Sequence, residues 1–370
     1  MKVGVLGGGQ LGRMLALAGY PLGFEFTFLD PAPDPPMGAV ARGITAPYDD
    51  PRALEELANG SDVVTWEFEN VSLASAEALA KRVRVAPAPA ALAAKQDRLH
   101  EKRFFGKLGI PTARHAPAST REEFDAAVAR IGHPVVVKSR SQGYDGKGQA
   151  TLRDERHAAR VWEALHGAPV IVEELVPFER EVSILAARGS DGKLAFYPLA
   201  ENHHAGGILR HTIAPAGGAE ALAAQAQEYA TRVLEDLRYV GMLAIEFFVA
   251  GGKLIANEMA PRVHNSGHWT IEGAETSQFE NHLRAIAGLP LGSTEARGRC
   301  AMVNILGNYP DPQRLAAIPG AHIHYYGKAP RPGRKLGHVT ICEGPAAQAR
   351  EPFEQRVVRL LALVEEHLPR

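Results

Sequence analysis

Two glutamates on either side of a short turn are the first candidates for chemistry in this sequence. Glu246 lies within an apolar, β-rich run and Glu258 follows a second one, and Gly251 and Gly252 between the runs predict a hairpin turn. Two carboxylates in a half-buried hairpin are costly unless a cation lies between them. A divalent metal ion is therefore the first hypothesis. The alternative is a hairpin with one solvated glutamate on each face.

The length of the turn decides between these two interpretations. A two-residue loop places Glu246 opposite Asn257 and turns Glu258 to the other face of the hairpin. A three-residue loop places Glu246 directly opposite Glu258, where like charges repel each other unless a cation separates them. A metal site therefore requires an odd-length loop or a β-bulge that puts both glutamates on one face.

Two histidines follow the hairpin at a spacing of four residues, which also suits a pair of zinc ligands on a helix. The pair is His264 and His268, and Pro261, Asn265 and Gly267 around it favour a loop or a helix start instead. We therefore do not predict a zinc site.

The overall composition excludes several classes of protein. The 370 residues carry 41 Lys and Arg against 42 Asp and Glu, so the net charge of −1 argues against a nucleic-acid or anionic-membrane surface but not against a local phosphate pocket. The two cysteines, Cys300 and Cys342, have neither a CxxC nor a zinc spacing. The sequence shows no targeting signal and no apolar run long enough to span a membrane. These features predict a reduced, cytoplasmic protein.

A glycine-rich loop near the N-terminus is the first candidate for phosphate binding. The predicted elements around it are a strand at 2–6, a helix at 11–17 and a strand at 24–29. Gly7, Gly9 and Gly12 form the loop and Asp30 ends the second strand, which matches the dinucleotide-binding fingerprint. The same motif occurs in α/β domains that bind other phosphates or no ligand. An NAD-dependent dehydrogenase is therefore one alternative function.

Acidic and aromatic residues follow the next predicted strand, at 62–65. They form the segment Trp66-Glu67-Phe68-Glu69-Asn70, at the end of a strand where ligands bind in sheets of this type. A loop that packs its aromatic rings on the sheet is the alternative. Pro87 and Pro89 then predict the end of an α/β domain near residue 95.

A lysine and a second glycine-rich loop follow in the middle of the chain, after a predicted helix at 99–108. Lys138 ends a predicted strand, and the loop at 143–148 separates it from a further strand at 149–152. The loop amides and the ammonium group could cover the phosphates of a nucleotide. It is not a Walker A loop, because Gly148 stands where Ser or Thr would follow the lysine. A plain flexible hairpin is the alternative.

A predicted strand at 169–174 runs into a polar segment that suits a purine. Backbone groups of residues 173–176 would bind the edge of adenine, and the carboxylate of Glu181 would accept hydrogen bonds from the ribose hydroxyls. Ordinary connectivity between two strands is the alternative.

The order of these parts resembles the ATP-grasp superfamily between residues 95 and 290. Seven segments in the expected order also resemble the N5-carboxyaminoimidazole ribonucleotide synthetase family, over nearly the whole chain. They are GGGQLGRM, WEFEN, KQDRL, KSRSQGYDGKGQ, GILR, EMAPRVHNSGHWT and RPGRKLGH. The resemblance implies an α/β (α+β) fold of the ATP-grasp type. Its parts would be an N-terminal Rossmann-like domain (1–95), a small β-rich lid domain with a linking helix (96–175) and a C-terminal α+β domain (176–370).

The resemblance also implies an activity in de novo purine biosynthesis. ATP, bicarbonate and 5-aminoimidazole ribonucleotide would give ADP, phosphate and N5-carboxyaminoimidazole ribonucleotide through carboxyphosphate. The implied cofactors are ATP and Mg2+, with Mn2+ as an alternative ion, and the implied assembly is a homodimer. Other functions that stay open are another ATP-grasp ligase, a formate-using transformylase and a nucleotide sensor without catalytic activity.

The resemblance assigns the site residues as follows. The ATP contacts would be Arg98, Lys138, Gly143, Tyr144, Asp145, Gly146, Lys147, Gly148, Gln149, Glu173, Glu174, Leu175, Val176, Glu181, His204, Asn257 and Glu258. The metal ligands would be Glu246 and Glu258. The catalytic residues would be Tyr144, Asp145, His268 and Lys328. The ribonucleotide would contact Gln10, Lys328, Arg331, Arg334 and Lys335, so that the first glycine loop would serve this substrate and the packing of its domain instead of a dinucleotide.

Overall fold

The structure, a computed structural model, describes residues 1–141, 148–165, 167–343 and 351–366. Within these residues the strands form three sheets, and each sheet is drawn from one continuous part of the chain. No helix in the described residues combines the length and the apolar composition needed to cross a bilayer. The predicted domain boundaries at residues 95 and 175 stay a prediction.

The first sheet is parallel and has the strand order β3-β2-β1-β4-β5. Its strands are β1 (Lys2–Leu6), β2 (Glu25–Asp30), β3 (Arg42–Thr45), β4 (Val63–Trp66) and β5 (Arg84–Val85). Its helices are α1 (Gln10–Gly19), α2 (Pro51–Asn59), α3 (Leu73–Ala80) and α4 (Pro89–Lys95). The order reverses between β1 and β4, which opens a crevice at the carboxyl ends of these two strands. This confirms the Rossmann-like prediction and brings the glycine loop next to Glu67.

The second sheet has the order β6-β9-β7-β8 and follows a linking helix, α5 (Arg98–Lys107). Its strands are β6 (His115–Ala118), β7 (Val135–Ser139), β8 (Gln149–Leu152) and β9 (Val170–Glu174), and its helices are α6 (Arg121–Ile131) and α7 (Ala158–Ala164). Buried aliphatic side chains and Phe124 form its core. The predicted loop residues Gly143, Tyr144, Asp145, Gly146 and Lys147 lie outside the described residues, whereas Gly148 and Gln149 lie within them.

The third sheet is mostly antiparallel and carries the predicted metal hairpin at one edge. Its main path is β15-β14-β10-β12-β13-β16-β18-β17, and β11 pairs with β10. The strands are β10 (Arg180–Arg188), β11 (Leu194–Phe196), β12 (Ala200–Ala205), β13 (Ile208–Ala214), β14 (Gly241–Ala250), β15 (Lys253–Ala260), β16 (Cys300–Leu306), β17 (Ala321–Tyr325) and β18 (Lys335–Cys342). The helices are α8 (Glu220–Asp236), α9 (Thr270–Gly273), α10 (Gln278–Ala287), α11 (Pro312–Ala316) and α12 (Phe353–Glu365).

Two buried contacts hold the first sheet against the third. The imidazole of His282 lies 2.9 Å from Thr65 Oγ1 through Nε2 and accepts the backbone N–H of Met242 at Nδ1, at 3.1 Å. Because the Met242 N–H can only donate, Nδ1 is the acceptor and Nε2 carries the proton. Trp66 Nε1 donates to the carbonyl of Pro261 at 3.0 Å. The carboxyl end of β4 is thereby positioned beside the hairpin of β14 and β15.

Candidate active site

The hairpin of β14 and β15 brings the two predicted metal ligands together by a bulge. The turn has two residues, Gly251 and Gly252, with φ values of 56° and 69° that favour glycine. The register then shifts beside Glu246, which leaves Asn257 unpaired in register and places Glu246 directly opposite Glu258. The three-residue loop is therefore wrong, and the pairing of the two glutamates through a bulge is confirmed.

The two carboxylates differ in charge because their neighbours differ. Glu258 Oε2 lies 2.8 Å from Lys95 Nζ and 3.2 Å from an Arg98 guanidinium nitrogen. Burial raises the pKa of Glu258, but Lys95 and Arg98 outweigh that effect and hold the pKa well below its usual range. Burial raises the pKa of Glu246 to about 7; the nearby charge of His204 opposes this rise, and the charge of Glu258 adds to it. Glu246 thus has a weaker cationic environment than Glu258, which contacts both Lys95 and Arg98.

Lys138 lies directly beside this hairpin. Its ammonium group is 2.9 Å from Glu173 Oε2 and donates to Asn257 Oδ1 at 3.3 Å. Lys102, a second buried lysine, lies 3.6 Å from the same Glu173 oxygen and donates to the carbonyl of Asn257 at 2.9 Å. The bulged residue is therefore fixed on both its backbone and its side chain, between the carboxylate pair and the predicted phosphate lysine.

The first three residues of the predicted adenine hinge already have partners within the protein. Glu173 is 2% exposed and directs its carboxylate at the two lysines instead of at a cleft. Glu174 and Leu175 donate their backbone N–H groups to the carbonyls of Arg114 and Pro134, at 2.9 and 3.2 Å. The hinge is thus anchored on both sides up to Leu175.

The predicted ribose residues lie on the neighbouring strands of the third sheet. His204 Nδ1 is 3.1 Å from Glu181 Oε2, and Glu181 pairs in register with Phe248, whose ring stacks on Phe178 at 4.7 Å between centroids. Burial lowers the pKa of His204, but Glu181 and Glu246 outweigh that effect and raise it above its usual value. The structure therefore brings Glu181 and His204 together.

One cavity of about 790 Å³ joins the predicted metal and ribonucleotide residues. The predicted site residues that line it are Gln10, Glu246, Glu258, His268, Lys328, Arg331, Arg334 and Lys335. Gln10 accepts a hydrogen bond from Lys328, although 318 positions separate the two residues in the sequence. Three cationic side chains of the loop before β18, together with Lys335 at the start of β18, thus line the same cavity as the two carboxylates.

The glycine loop contacts carboxylates of its own domain. Glu67 accepts the backbone N–H groups of Gly9, Leu11 and Gly12 at 2.6, 3.0 and 3.0 Å. A Cβ atom at Gly9 would lie 2.2 Å from Glu67 Oε1, so a larger residue there would displace this carboxylate from the loop. Asp30, predicted as a ribose ligand of a dinucleotide, accepts the Gly8 N–H at 2.7 Å instead. A dinucleotide phosphate would meet a carboxylate at this helix N-terminus, so the dinucleotide interpretation does not fit.

His268 reaches the cavity as a neutral, buried ring. It is 1% exposed and packs against the rings of His338 and Phe279, at 4.8 and 5.5 Å between centroids. Burial lowers the pKa of His268 well below its usual value. The described residues contain no group of three or more His, Cys, Asp or Glu side chains arranged to hold a metal ion, and a 3₁₀ turn separates His264 from His268. The two histidines therefore do not lie one turn apart on an α-helix.

Several charged residues of the site had no predicted role. Lys95 lies 3.1 Å from Glu101 Oε1, and Glu101 also accepts the backbone N–H of Met259 at 2.7 Å. Arg262 forms a half-buried ion pair with Glu69 at the cavity wall. The segments KQDRL and EMAPR contain Lys95 and Arg262, but spacing alone does not indicate which partners they reach.

Models of three protein families match successive parts of this chain. The Ribonucleotide synthetase preATP-grasp domain matches residues 1–96, and the ATP-grasp domain matches residues 103–279. The Phosphoribosylaminoimidazole carboxylase C-terminal domain matches residues 300–352. The predicted α/β ATP-grasp fold is therefore confirmed.

Relatives of known name match the chain over its whole length. The N5-carboxyaminoimidazole ribonucleotide synthase of Pseudomonas aeruginosa is 49% identical, over 99% of this chain and 100% of its own. The crystal structure of the synthetase from Thermus thermophilus is 52% identical, with a TM-score of 0.92, over 100% of this chain and 99% of that one. A synthase from Aspergillus clavatus in complex with ADP and 5-aminoimidazole ribonucleotide is 33% identical, with a TM-score of 0.90, over 99% and 98%. The chain belongs to the N5-carboxyaminoimidazole ribonucleotide synthase family of ATP-grasp enzymes.

Proposed function

We propose that this chain uses ATP and bicarbonate to carboxylate the exocyclic amine of 5-aminoimidazole ribonucleotide in purine biosynthesis. The observation that carries the proposal is the single cavity in which Glu246 and Glu258 face Lys328, Arg331, Arg334 and Lys335. An acidic pair suits the metal-bound phosphates of ATP, and a basic cluster suits the phosphate of a ribonucleotide. The relative that binds both ADP and 5-aminoimidazole ribonucleotide supports the same pairing of ligands.

ATP would bind between the second and third sheets. The hinge at 173–176 would hold adenine, Glu181 and His204 would bind the ribose region, and Lys138 would reach the phosphates. Lys138 lies against Asn257, next to the carboxylate pair, and Glu173 holds its ammonium group at the place where the phosphates would lie. The predicted loop residues Tyr144 and Asp145 would complete the site on the imidazole side.

Glu246 and Glu258 are suited to hold Mg2+, with Mn2+ as the alternative ion. Both are oxygen donors on one face of the hairpin, and the raised pKa of Glu246 shows that the positive groups around it do not offset its burial. Two carboxylates leave room in the coordination shell for phosphate oxygens and water. The ion would neutralise charge on the phosphates of ATP when bound.

Lys95 would position Glu258 for this role. Its ammonium group is held on one side by Glu101, which is itself tied to the backbone of β15 at Met259. On the other side it fixes one oxygen of Glu258 at 2.8 Å. The metal-binding carboxylate is thereby oriented from α4 and α5 instead of by its own hairpin.

The reaction needs two transfers in one closed space. A bicarbonate oxygen attacks the γ-phosphorus of ATP, which forms carboxyphosphate and releases ADP. The amine of the ribonucleotide then forms a bond to the carboxyphosphate carbon as the carbon–oxygen bond to phosphate breaks, or to CO2 released by that cleavage, and phosphate leaves with the amine proton. The cations Lys138, Arg98 and Lys95 would stabilise the transferred phosphoryl group, and neutral His268 would lie near bicarbonate. Exclusion of water protects the short-lived acyl phosphate.

The assembly and the location are part of the same proposal. We propose a homodimer, which is the assembly implied by the resemblance of the sequence to this family. We also propose a cytoplasmic location, which suits the phosphorylated substrates. A sedimentation measurement at micromolar concentration tests the dimer.

The assay that tests the function measures ADP release with bicarbonate, with and without 5-aminoimidazole ribonucleotide. We expect release to depend on bicarbonate and to rise when the ribonucleotide is added. Stimulation only by a different amine or by formate would assign the chain to another ATP-grasp reaction. Binding of NAD without any ATPase activity would favour the dehydrogenase, and ATP binding that tolerates loss of the carboxylate pair would favour a sensor.

A further inference from the structure

The two cysteines of the chain face each other across neighbouring strands, away from the cavity. Cys300 is the first residue of β16 and Cys342 is the last residue of β18, and the two pair in register. Their sulfur atoms lie 2.9 Å apart. Neither residue lines the cavity of the candidate active site. Two thiols brought together from positions 42 apart are thus left without a role in the proposed reaction.

The type of strand pairing at this point suits a disulfide. The backbone N–H of Glu343 donates to the carbonyl of Arg299 at 2.7 Å, so these two residues form a hydrogen-bonded pair. The adjacent pair, Cys300 and Cys342, is therefore a non-hydrogen-bonded pair, in which Cα atoms lie about 4.5 Å apart. That separation is within the range that a disulfide spans, about 4.4 to 6.8 Å. A bond between the sulfurs requires no change of register.

The two thiols differ in their exposure and therefore in their reactivity. Cys342 is half-buried, so it is the one that a small oxidant reaches, whereas Cys300 is fully buried. Burial raises the pKa of the Cys300 thiol, which keeps it protonated and unreactive until Cys342 has been activated. A Cβ atom at Gly273 would lie 2.7 Å from the Cβ of Cys300, so the glycine at the end of α9 leaves the space that Cys300 occupies.

We propose that Cys300 and Cys342 form a dithiol site that a hydroperoxide or a glutathione-type disulfide oxidises to a cross-strand disulfide. With a hydroperoxide, the Cys342 sulfur takes an oxygen to become a sulfenic acid, and the hydroperoxide leaves as an alcohol or water. The Cys300 sulfur then displaces the hydroxyl group, which leaves as water with the Cys300 proton. With a disulfide oxidant, Cys342 forms a mixed disulfide and Cys300 displaces the second thiol.

The bond ties β16 to β18 at the end of the sheet opposite the active site. Lys335, at the other end of β18, lines the cavity, so the same strand carries both features. A covalent link between residues 42 apart restricts the unfolded chain, which raises stability against unfolding. We expect the midpoint of thermal unfolding to rise by roughly 5 °C on oxidation.

The test treats the native full-length protein with oxidised glutathione and then counts free thiols after denaturation. We expect both of the two cysteines to be lost, a peptide map that joins the segments around Cys300 and Cys342 within one chain, and full recovery with dithiothreitol. Two thiols that persist at high oxidant, or oxidation that gives only glutathione adducts or disulfides between chains, would overturn the proposal.

Two variants separate the disulfide from a general effect of the oxidant. Cys342→Ser should keep one buried thiol, form no link within the chain and show no rise of the unfolding midpoint on oxidation. Cys300→Ala should accumulate the glutathione adduct at Cys342. A rise of the midpoint in either variant equal to that of the parent protein would contradict the role of the bond. The peptide map of the parent protein decides the question if a variant fails to fold.

Discussion

Buried glutamates lie at both ends of the cavity, in the hairpin and beside the glycine loop, but they have different roles there. At the hairpin, Glu246 and Glu258 lie opposite each other in register, and the raised pKa of Glu246 reflects burial that the charge of His204 does not offset. At the glycine loop, Glu67 accepts three backbone N–H groups at the start of α1. Burial raises the pKa of Glu67 as well, so the two carboxylates differ in their partners: three N–H groups already occupy Glu67, whereas none from the described residues is bound to Glu246 in this way.

The largest effect is expected at the hairpin. Glu258→Gln keeps the shape of the side chain but removes the charge that binds the metal, so turnover should fall by at least about 1,000-fold. ADP release measures the loss, and circular dichroism should show an unchanged fold. The matched control is Glu179→Gln, an exposed glutamate beside the same hairpin turn. Undiminished activity in Glu258→Gln would remove this residue from the metal site.

A substitution that removes the contacts of the glycine loop should lower the stability of the protein. Glu67→Ala leaves three backbone N–H groups at the start of α1 without their acceptor, which should lower the free energy of unfolding by about 3 kcal/mol. Urea denaturation measures this change. The vacated helix N-terminus should then accept an anion, so millimolar phosphate should restore part of the stability of the variant but not raise that of the parent protein. Equal stability of variant and parent would show that the glycine loop does not depend on Glu67.

A substitution in the basic cluster should change the KM for one of the two substrates and not for the other. Lys328→Ala removes a cation from the end of the cavity next to Gln10, so the KM for 5-aminoimidazole ribonucleotide should rise by about 30-fold while the KM for ATP stays unchanged. Steady-state ADP release with each substrate varied in turn measures both constants. Lys253→Ala, at an exposed lysine next to the hairpin turn, is the control. An equal rise of both KM values would contradict a phosphate pocket separate from the nucleotide site.

The smallest effect concerns the contact that holds the two regions together. Burial lowers the pKa of His282 to about 4, so between pH 6.5 and pH 4 the unfolded chain binds a proton that the folded chain does not. Stability from this group is present above pH 6.5 and is lost as the pH falls towards 4, by about 2 kcal/mol at pH 5. His282→Gln should reduce the difference in unfolding free energy between pH 7.5 and pH 5 by that amount. The exposed His322→Gln should leave it unchanged.

Much of the molecule follows from residues close together in the sequence. The predicted strands at 2–6 and 24–29 appear as β1 and β2, and the predicted helix at 99–108 appears as α5, with bounds that differ by at most one residue. Apolar periodicity and glycine or proline punctuation are local signals, so they predict local elements. The order of the motifs indicated the family, which the comparisons confirm, and the hairpin glycines indicated where two carboxylates meet.

Only the tertiary structure decided how those carboxylates are used. The two-residue turn would have separated Glu246 from Glu258, and the bulge that reunites them contains Asn257, which Lys102 and Lys138 hold from outside the hairpin. The glycine loop has the sequence of a dinucleotide site. However, the carboxylate of Glu67, more than fifty residues away in the sequence, already accepts the N–H group of Gly9 in this loop. Sequence patterns indicate which polar and charged groups a short segment contains. Burial and contacts with charged residues from distant parts of the chain determine whether those groups can bind a ligand.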